Sequence, residues 1–355
     1  MSTLFLIIIL LLGFLITFQI AKASEYVGIL KGEKKNFEQN NKINGFLMVV
    51  FLVLGLVGVY WCNELFKGKI LGESASDHGK KIDTMLHITL AITGVVFVIT
   101  QVLLFWFAYK YQYTERRKAY YFPHDNRLEV IWTVVPAIAL TVLVGFGLKY
   151  WFHITGDAPK DAMVVEVTGK QFNWIFRYPG KDNIFGRKFF RNINDDGNNQ
   201  LGLLWDDPAS HDDLVVNQTV YLVVNQPVKL IINSRDVIHD VGLSHFRMKM
   251  DAVPGTPTTM WFTPLYTTEE MKKMTGNPDF EYEISCDQMC GKGHFSMKGI
   301  VKVVSKSEFI LWRAKQVPNF AQVFSAPAQP AGGAKTDSAK TVAGIGTTES
   351  AIAKK

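Results

Sequence analysis

The chain has 355 residues, of which 48% are hydrophobic, and a formal net charge of +6 at pH 7. At about 100 to 200 residues per domain, this length allows more than one folded unit. The basic residues do not form a stripe interleaved with aromatic side chains, so nucleic-acid binding is not predicted. The three cysteines, Cys62, Cys286 and Cys290, are too few for a disulfide-rich scaffold.

Four apolar runs in the first part of the chain are long enough, or nearly so, to cross a bilayer, which takes about 20 mostly apolar residues. They cover residues 3–20, 45–62, 86–109 and 129–151. The loop between the last two runs carries a basic cluster: Lys110, Arg116, Arg117, Lys118 and Arg127. Lysine and arginine mark cytoplasmic loops. Everything after Trp151 is therefore predicted to lie outside the cytoplasm, where a single Cys286–Cys290 disulfide is chemically possible.

The first run has a second interpretation as a cleaved signal peptide, because Ala21-Lys-Ala23 before Ser24 resembles a cleavage site. However, no positive residue precedes this run. Residues 22–44 carry several lysines and lie inside the cytoplasm if all four runs span the membrane. Four retained helices are favoured, and the alternative is cleavage with the second run failing to span.

After Trp151 the pattern changes to short β-rich runs separated by turn residues. The predicted strands cover residues 163–168, 172–178, 220–224, 228–233, 259–262, 282–285 and 299–304. Short strands without long helices between them favour an antiparallel sandwich or barrel. A capping box at Ser305-Lys-Ser-Glu308 predicts a closing helix through Lys315. Residues 325–355 contain few large apolar side chains and are predicted to be a disordered tail.

Potential metal ligands are concentrated in one loop. They are Cys286, Cys290, His294 and Met297, with His239 upstream as a second imidazole. Two sulfurs and two imidazoles also suit a tetrahedral structural zinc, and this alternative stays open. A thioether favours copper, which accepts it as a long axial ligand. Two thiolates can bridge two copper ions, each completed by one histidine and one weak ligand: Met297 on one ion and a loop carbonyl, at Gln288, on the other. Such a site suits electron transfer.

Five motifs, taken in order, resemble subunit II of haem-copper cytochrome c oxidases over about residues 86–312. They are LEVIWTVVPA at 128–137, GKQFNW at 169–174, DVIH at 236–239, KMDAVPG at 249–255 and the cysteine loop. The resemblance implies a membrane-anchored all-β protein in which a cupredoxin-like Greek-key β-sandwich follows the transmembrane helices. It divides the chain into two extra helices at 1–63, a two-helix anchor at 64–156 and the copper domain at 157–324. The family assigns no role to the extra helices.

The same resemblance implies a function and a ligand set. The chain would accept electrons from a cytochrome c-type donor on a binuclear copper A centre and pass them to haem in subunit I. The complete oxidase reduces oxygen and pumps protons, and this chain alone does not offer haem ligands arranged across a helix bundle. The location implied is a bacterial inner membrane, with the copper domain on the periplasmic side. The implied ligands are His239, Cys286, the carbonyl of Gln288, Cys290, His294 and Met297.

Two positions depart from the family pattern. Gln288 stands where many members have a glutamate that also holds magnesium against subunit I, which leaves the magnesium contact open. Phe172-Asn-Trp174 stands where the family has Trp-x-Trp, so electrons are expected to enter through Phe172, Trp174 or another direction.

Other residues receive roles by position. Glu129 resembles the glutamate at the entrance of a proton path, although a carboxylate at a helix start is also favoured by the helix dipole. Lys249 and Asp251 are expected near the subunit I interface. An acidic segment is a candidate docking surface for a basic donor, with a solvated loop as the alternative. The docking candidates are Asp206, Asp207, Asp212 and Asp213.

Overall fold

A computed structural model describes residues 3–69, 72–114 and 117–325. It begins with four long helices: α1 Thr3–Lys31, α2 Glu33–Phe66, α3 Asp77–Lys110 and α4 Asn126–Ile154. Each is long and apolar enough to cross a membrane, which confirms the prediction of four such helices. Their large apolar side chains are mostly exposed, as expected for helices whose solvent is lipid. The predicted tail beyond Ser325 lies outside the described residues.

The second helix packs along the third. The rings of Phe51 and Phe105 have centroids 5.6 Å apart, and Phe37 meets Tyr113 edge-on at 5.5 Å. Because Phe37 precedes Phe51 while Tyr113 follows Phe105, the two helices run antiparallel. The added N-terminal helix α2 is therefore a packing partner of the membrane anchor.

Ten strands form two five-stranded sheets. They are β1 Met163–Lys170, β2 Asn173–Tyr178, β3 Leu214–Asn217, β4 Thr219–Val223, β5 Val228–Ser234, β6 His239–Leu243, β7 Met248–Ala252, β8 Thr258–Phe262, β9 Tyr282–Cys286 and β10 Lys298–Val304. One sheet has the order β3-β2-β1-β5-β8 and the other β4-β10-β9-β6-β7. All seven predicted strands are present. The sequence prediction missed β3, β6 and β7.

The sandwich is not wholly antiparallel. Strand β1 pairs with β5 in parallel, and so does β4 with β10. Both pairs join strands that are distant in sequence, so the chain crosses between the sheets before returning to its neighbour. The prediction of an antiparallel sandwich is wrong for these two pairs, because local alternation of apolar residues carries no information on which distant strand will be the neighbour.

The chain divides into two compact units. The first contains Met1–Pro179 and Val215–Gln316, and the second contains Gly180–Leu214 and Val317–Lys355. Aromatic residues fill the core of the sandwich in the first unit: Trp174, Phe176, Phe246, Phe262 and Tyr282 are each at most 2% exposed. Phe246 stacks at 4.8 Å on Phe262 and at 4.7 Å on Tyr282. Helix α5, Thr268–Thr275, and helix α6, Lys306–Ala314, each begin with a capping box, which confirms the prediction at Ser305 and Glu308.

Hydrogen bonds join the residues just before α3 to the sandwich. Ala75 donates its N–H to the His245 carbonyl at 2.8 Å and accepts from Leu265 N–H at 2.9 Å. The Arg247 guanidinium donates hydrogen bonds to both carboxylate oxygens of Asp83, at 2.9 and 3.0 Å. A bidentate pair of this kind fixes direction as well as distance. Helix α3 is thereby anchored directly to the β-domain.

The second unit has its own small core. Helix α7, Asn319–Phe324, places Phe320 face to face with His211 at 4.0 Å and edge-on to Trp205 at 5.8 Å. Asp213 is fully buried, and its carboxylate accepts a hydrogen bond from the Gly186 N–H at 3.0 Å.

Candidate metal centre

Three neighbouring strands position the predicted ligands. His239 is the first residue of β6, and Cys286 is the last residue of β9, which pairs with β6 through Val241 opposite Cys286. The loop that leaves Cys286 returns to β10 immediately after Met297. Both ends of the loop are thus fixed by backbone pairing, and the buried side chain of His239 faces it.

Two sulfurs lie at the middle of the cluster, with one histidine at each end. Cys286 Sγ and Cys290 Sγ are 3.7 Å apart, much further than the roughly 2.05 Å of a disulfide, and both cysteines are free. Cys286 Sγ is 3.7 Å from His239 Nδ1. Cys290 Sγ is 3.7 Å from His294 Nδ1. Each cysteine sulfur therefore has its own neighbouring imidazole.

Each end also has one weaker donor. The carbonyl oxygen of Gln288 lies 3.2 Å from Cys286 Sγ, and the thioether sulfur of Met297 lies 3.9 Å from Cys290 Sγ. All six predicted ligand groups are thus brought together. The donor set of two thiols, two imidazoles, a thioether and a carbonyl fits soft or borderline metals such as copper.

Burial favours the protonated form of the Cys290 thiol. Cys286, Cys290 and Met297 are each at most 6% exposed. Burial and the adjacent Cys286 thiol raise the pKa of the Cys290 thiol to about 11. A metal ligand must be a thiolate, so metal binding here has to displace a proton from a thiol that otherwise keeps it at neutral pH.

Asp236 orients the buried histidine. Its Oδ1 lies 2.8 Å from His239 Nε2, and its Oδ2 accepts a hydrogen bond from the Gln171 N–H at 2.8 Å. Burial acts to raise the pKa of Asp236, but the hydrogen bonds from Gln171, His239 and Val237 outweigh it and hold the pKa below its usual value. With Nδ1 directed at Cys286, a proton on Nε2 is donated to this carboxylate, which fixes the tautomer.

The Phe172 ring lies against the ligand loop, whereas Trp174 is buried in the sandwich beside His239. A Cβ added to Gly293 would collide with the Phe172 ring, and one added to Gly291 would come within 3.1 Å of it. These glycines let the ring approach the loop closely. Phe172 is half-buried, and Trp174 is completely buried with its ring 6.1 Å from the His239 ring.

The proposed interface residues lie on the strand next to β6. In the β6–β7 register, Asp251 is opposite Asp240 and Lys249 is opposite Gly242. Both side chains are exposed, and Lys249 Nζ is 3.6 Å from a carboxylate oxygen of buried Asp240. Burial, together with a hydrogen bond that protonated Asp240 donates to Asp251, raises the pKa of Asp240 to about 7.

The other predicted site residues belong to α4 and to the second unit. Glu129 is exposed in the first turn of α4, 4.0 Å from His124 Nδ1. In the second unit, Asp206 is exposed, while Asp207 accepts hydrogen bonds from the backbone and side chain of Arg187. Asp212 accepts from the Lys181 N–H at 2.5 Å. Since Asp213 is fully buried, its carboxylate is not presented to a partner.

Two family descriptions match most of the chain. Cytochrome C oxidase subunit II, transmembrane domain, matches residues 64–149, and Cytochrome C oxidase subunit II, periplasmic domain, matches residues 163–304. An alternative cytochrome c oxidase subunit 2 of Bradyrhizobium diazoefficiens is 34% identical over 66% of this chain and 80% of its own length. The chain belongs to the cytochrome c oxidase subunit II family.

Two further members extend the comparison. Cytochrome c oxidase subunit 2 of Cereibacter sphaeroides is 27% identical over 73% of this chain and 84% of its own length. The crystal structure of the periplasmic domain of subunit II of cytochrome oxidase of Bradyrhizobium japonicum has 21% identity and a TM-score of 0.31, covering 44% of this chain and 95% of that domain.

Membership confirms the general predictions. The chain is an integral membrane protein with a cupredoxin-like domain, and it is part of a cytochrome c oxidase complex. A copper centre and a role in electron transport follow from the family.

The sequence prediction gave Asp236 and Gln171 no role of their own. Gln171 joins Asp236 to the loop: its backbone N–H donates to the Asp236 carboxylate, and its side-chain amide donates to the Cys290 carbonyl at 2.5 Å. A carboxylate three residues before a ligand histidine is a usable signal for the partner of its other nitrogen. The contact of Gln171 had no such signal, since it joins two distant parts of the chain.

Proposed function

We propose that this chain is the subunit through which electrons enter a terminal haem-copper oxidase. It would accept electrons from a cytochrome c-type donor and pass them to haem in subunit I, within a complex that reduces oxygen and pumps protons. When bound, a binuclear copper A centre would supply one-electron redox chemistry. The chain's own residues would hold that centre, orient its ligands and exclude water from it.

The two-ended arrangement of ligands carries this proposal. His239, Cys286 and Cys290 form a group whose ligand atoms lie within 4.8 Å of one another, and His294 is not in that group. A single tetrahedral zinc needs both imidazoles around one point. The observed cluster instead has one imidazole beside each sulfur, which suits two ions sharing the sulfurs.

Metal analysis and an optical spectrum of the full-length chain test the proposal against the zinc alternative. Two copper ions per chain and an intense visible absorption are expected. A colourless protein that holds one zinc on these ligands would reject it, since zinc has no redox chemistry.

Phe172 is the position at which we propose that electrons enter. Trp174 is enclosed by the sandwich, so a donor protein would meet the Phe172 ring first. Gly291 and Gly293 have no side chain, which lets the Phe172 ring lie against the ligand loop.

Replacing Phe172 with alanine is expected to slow electron transfer from cytochrome c about tenfold. This corresponds to the loss of about 1.4 kcal/mol of binding free energy between donor and subunit, a typical value for truncating an important contact residue. Copper content should stay at the wild-type value, because Phe172 supplies no ligand atom. Phe122, an exposed phenylalanine of the basic loop between α3 and α4, provides the matched control as Phe122→Ala. An unchanged rate in Phe172→Ala would place the donor elsewhere.

Our proposed donor-docking surface consists of four acidic residues of the second unit, of which Asp206 is the most exposed: Asp206, Asp207, Asp212 and Asp213. The Asp206 side chain is 76% exposed, whereas Asp207 and Asp212 are engaged by local hydrogen bonds and Asp213 is buried. An acidic surface accelerates association with a basic partner by long-range attraction that salt screens.

The rate of cytochrome c oxidation by the complex is therefore expected to fall as ionic strength rises, by about tenfold between low and high salt. Asp206→Asn should make this dependence shallower, while Asp161→Asn, an exposed acid of the first unit, should leave it unchanged. A flat salt profile in the wild type would remove the acidic loop from the docking proposal.

The remaining assignments are also proposals. Glu129 would mark the entrance of a proton path in subunit I, and Lys249 and Asp251 would contact that subunit. The sandwich would lie on the periplasmic side of a bacterial inner membrane, as the basic loop before α4 and the name of the matching domain both support. Residues 1–63 would be additional to the two-helix anchor at 64–156, followed by the copper domain at 157–324.

A further inference from the structure

A second group of potential metal ligands lies where the anchor helices meet the sandwich. Asp77 and His78 begin α3, and His153 is next to last in α4. Each residue offers one ligand atom, and the three atoms lie within 4.8 Å of one another. The rings of His78 and His153 have centroids 5.4 Å apart. These side chains come from two membrane helices that are distant in sequence.

His78 is the unusual member of this group. Its side chain is completely buried, and neither ring nitrogen makes a hydrogen bond of normal geometry to the residues that the structure describes, although the Trp261 backbone lies close to the ring. The Asp77 carboxylate lies 3.7 Å from His78 Nε2, beyond hydrogen-bond distance, and the Trp261 ring packs edge-on at 4.3 Å. Burying a polar group without a hydrogen-bond partner is unfavourable, so native proteins rarely keep one without a partner or a bound ligand.

We propose that Asp77, His78 and His153 form a divalent transition-metal site of the zinc type. Imidazole nitrogen with one carboxylate oxygen is a common donor set for zinc. An ion here would satisfy the buried His78 ring. Asp77 is positioned for a second task, because its Oδ1 accepts the Thr263 N–H at 3.0 Å, which holds the carboxylate in place. His153 is exposed, so the site is open on one side to water or another ligand.

The site would join three elements of the first unit. Asp77 and His78 belong to α3 and His153 to α4, while Trp261 of β8 covers His78 and donates its indole N–H to the Gly156 carbonyl just after α4 at 2.9 Å. A metal ion at this point would fasten both anchor helices beneath the sandwich. Its role would be structural and separate from the ligand loop.

Lys81 places a positive charge beside the proposed metal site. Its Nζ lies 2.8 Å from His153 Nε2, so the ammonium group now occupies space next to a ligand nitrogen. Like charges repel, and the long lysine side chain would have to swing away when a divalent ion binds. Removing this charge should therefore strengthen metal binding.

The test is zinc retention by the full-length protein after saturation with copper and dialysis against a weak chelator. Wild type is expected to keep one zinc per chain more than His78→Gln or His153→Gln. The zinc content of each variant is compared with that of wild type. Any zinc bound in the cysteine loop is common to both proteins and does not change this difference. His87→Gln, an exposed histidine of α3, is the matched control and should keep the wild-type zinc count.

Lys81→Met separates binding from misfolding, since it is expected to tighten zinc binding about tenfold, whereas a damaged fold would only weaken it. An unchanged copper content in every variant shows that the sandwich is still correctly folded. The proposal is overturned if wild type retains no zinc beyond the histidine variants, or if Lys81→Met weakens binding.

Discussion

Replacing Cys290 with serine is expected to remove the bound copper and to lower electron transfer from cytochrome c by more than about 100-fold, the upper range for loss of a group that merely supports a ligand. Cys290 Sγ is next to three other atoms of the proposed ligand set: Cys286 Sγ, His294 Nδ1 and Met297 Sδ. A serine hydroxyl is a hard ligand with a much higher pKa than a thiol, so it is a poor replacement for the proposed thiolate ligand. Copper content and the visible spectrum of the full-length chain give the measurement.

Cys62 provides the matched control for this substitution. It is a free cysteine exposed on α2, far in sequence from the ligand loop. Cys62→Ser should keep the wild-type copper content and electron-transfer rate. If Cys290→Ser also retained two copper ions and the wild-type spectrum, the two sulfurs could not both be bridging ligands, and the proposed centre would be refuted.

The ligand loop was predictable because its chemistry is local. Four of its donors lie between Cys286 and Met297, and no other part of the sequence has such a density of sulfur and imidazole. The four membrane helices were predictable for a similar reason, since a long apolar run has few alternatives to spanning a bilayer. In both cases the decisive information lies within one short stretch of sequence.

The strands that were missed show what local pattern does not carry. Strand β6 includes Asp240, which is buried beside Lys249 and Asp251 rather than placed on a polar outer face. Its burial follows from pairing with β7 and β9, so alternation of polar and apolar residues is not visible in the sequence. His78 is a related case, because only the packing of α3 against Trp261 makes it buried.

The docking surface shows the same limit from the opposite side. The sequence placed Asp206, Asp207, Asp212 and Asp213 together as a solvated acidic group. The fold uses Asp207 and Asp212 as acceptors for backbone N–H groups and buries Asp213. Turn residues often serve the backbone in this way, so a run of acids in a loop overstates the charge available to a partner.

Replacing Asp236 with alanine is expected to weaken copper binding about 10- to 100-fold without removing any ligand. The carboxylate holds His239 through Nε2 and the Gln171 backbone through its other oxygen, each at 2.8 Å. Without it, the imidazole loses the partner that selects its tautomer and direction. Competition with a chelator of known copper affinity measures the change, and Asp161→Ala, at an exposed acid, serves as the control.

Asp236→Asn distinguishes the two ways in which this carboxylate could act. The asparagine carbonyl can still accept the proton of His239 Nε2, but it carries no charge and offers only one oxygen. If orientation dominates, Asn should recover most of the affinity that Ala loses. If the negative charge dominates by making the imidazole a stronger donor, Asn should be nearly as weak as Ala. Wild-type affinity in Asp236→Ala would show instead that β6 alone holds His239 in place.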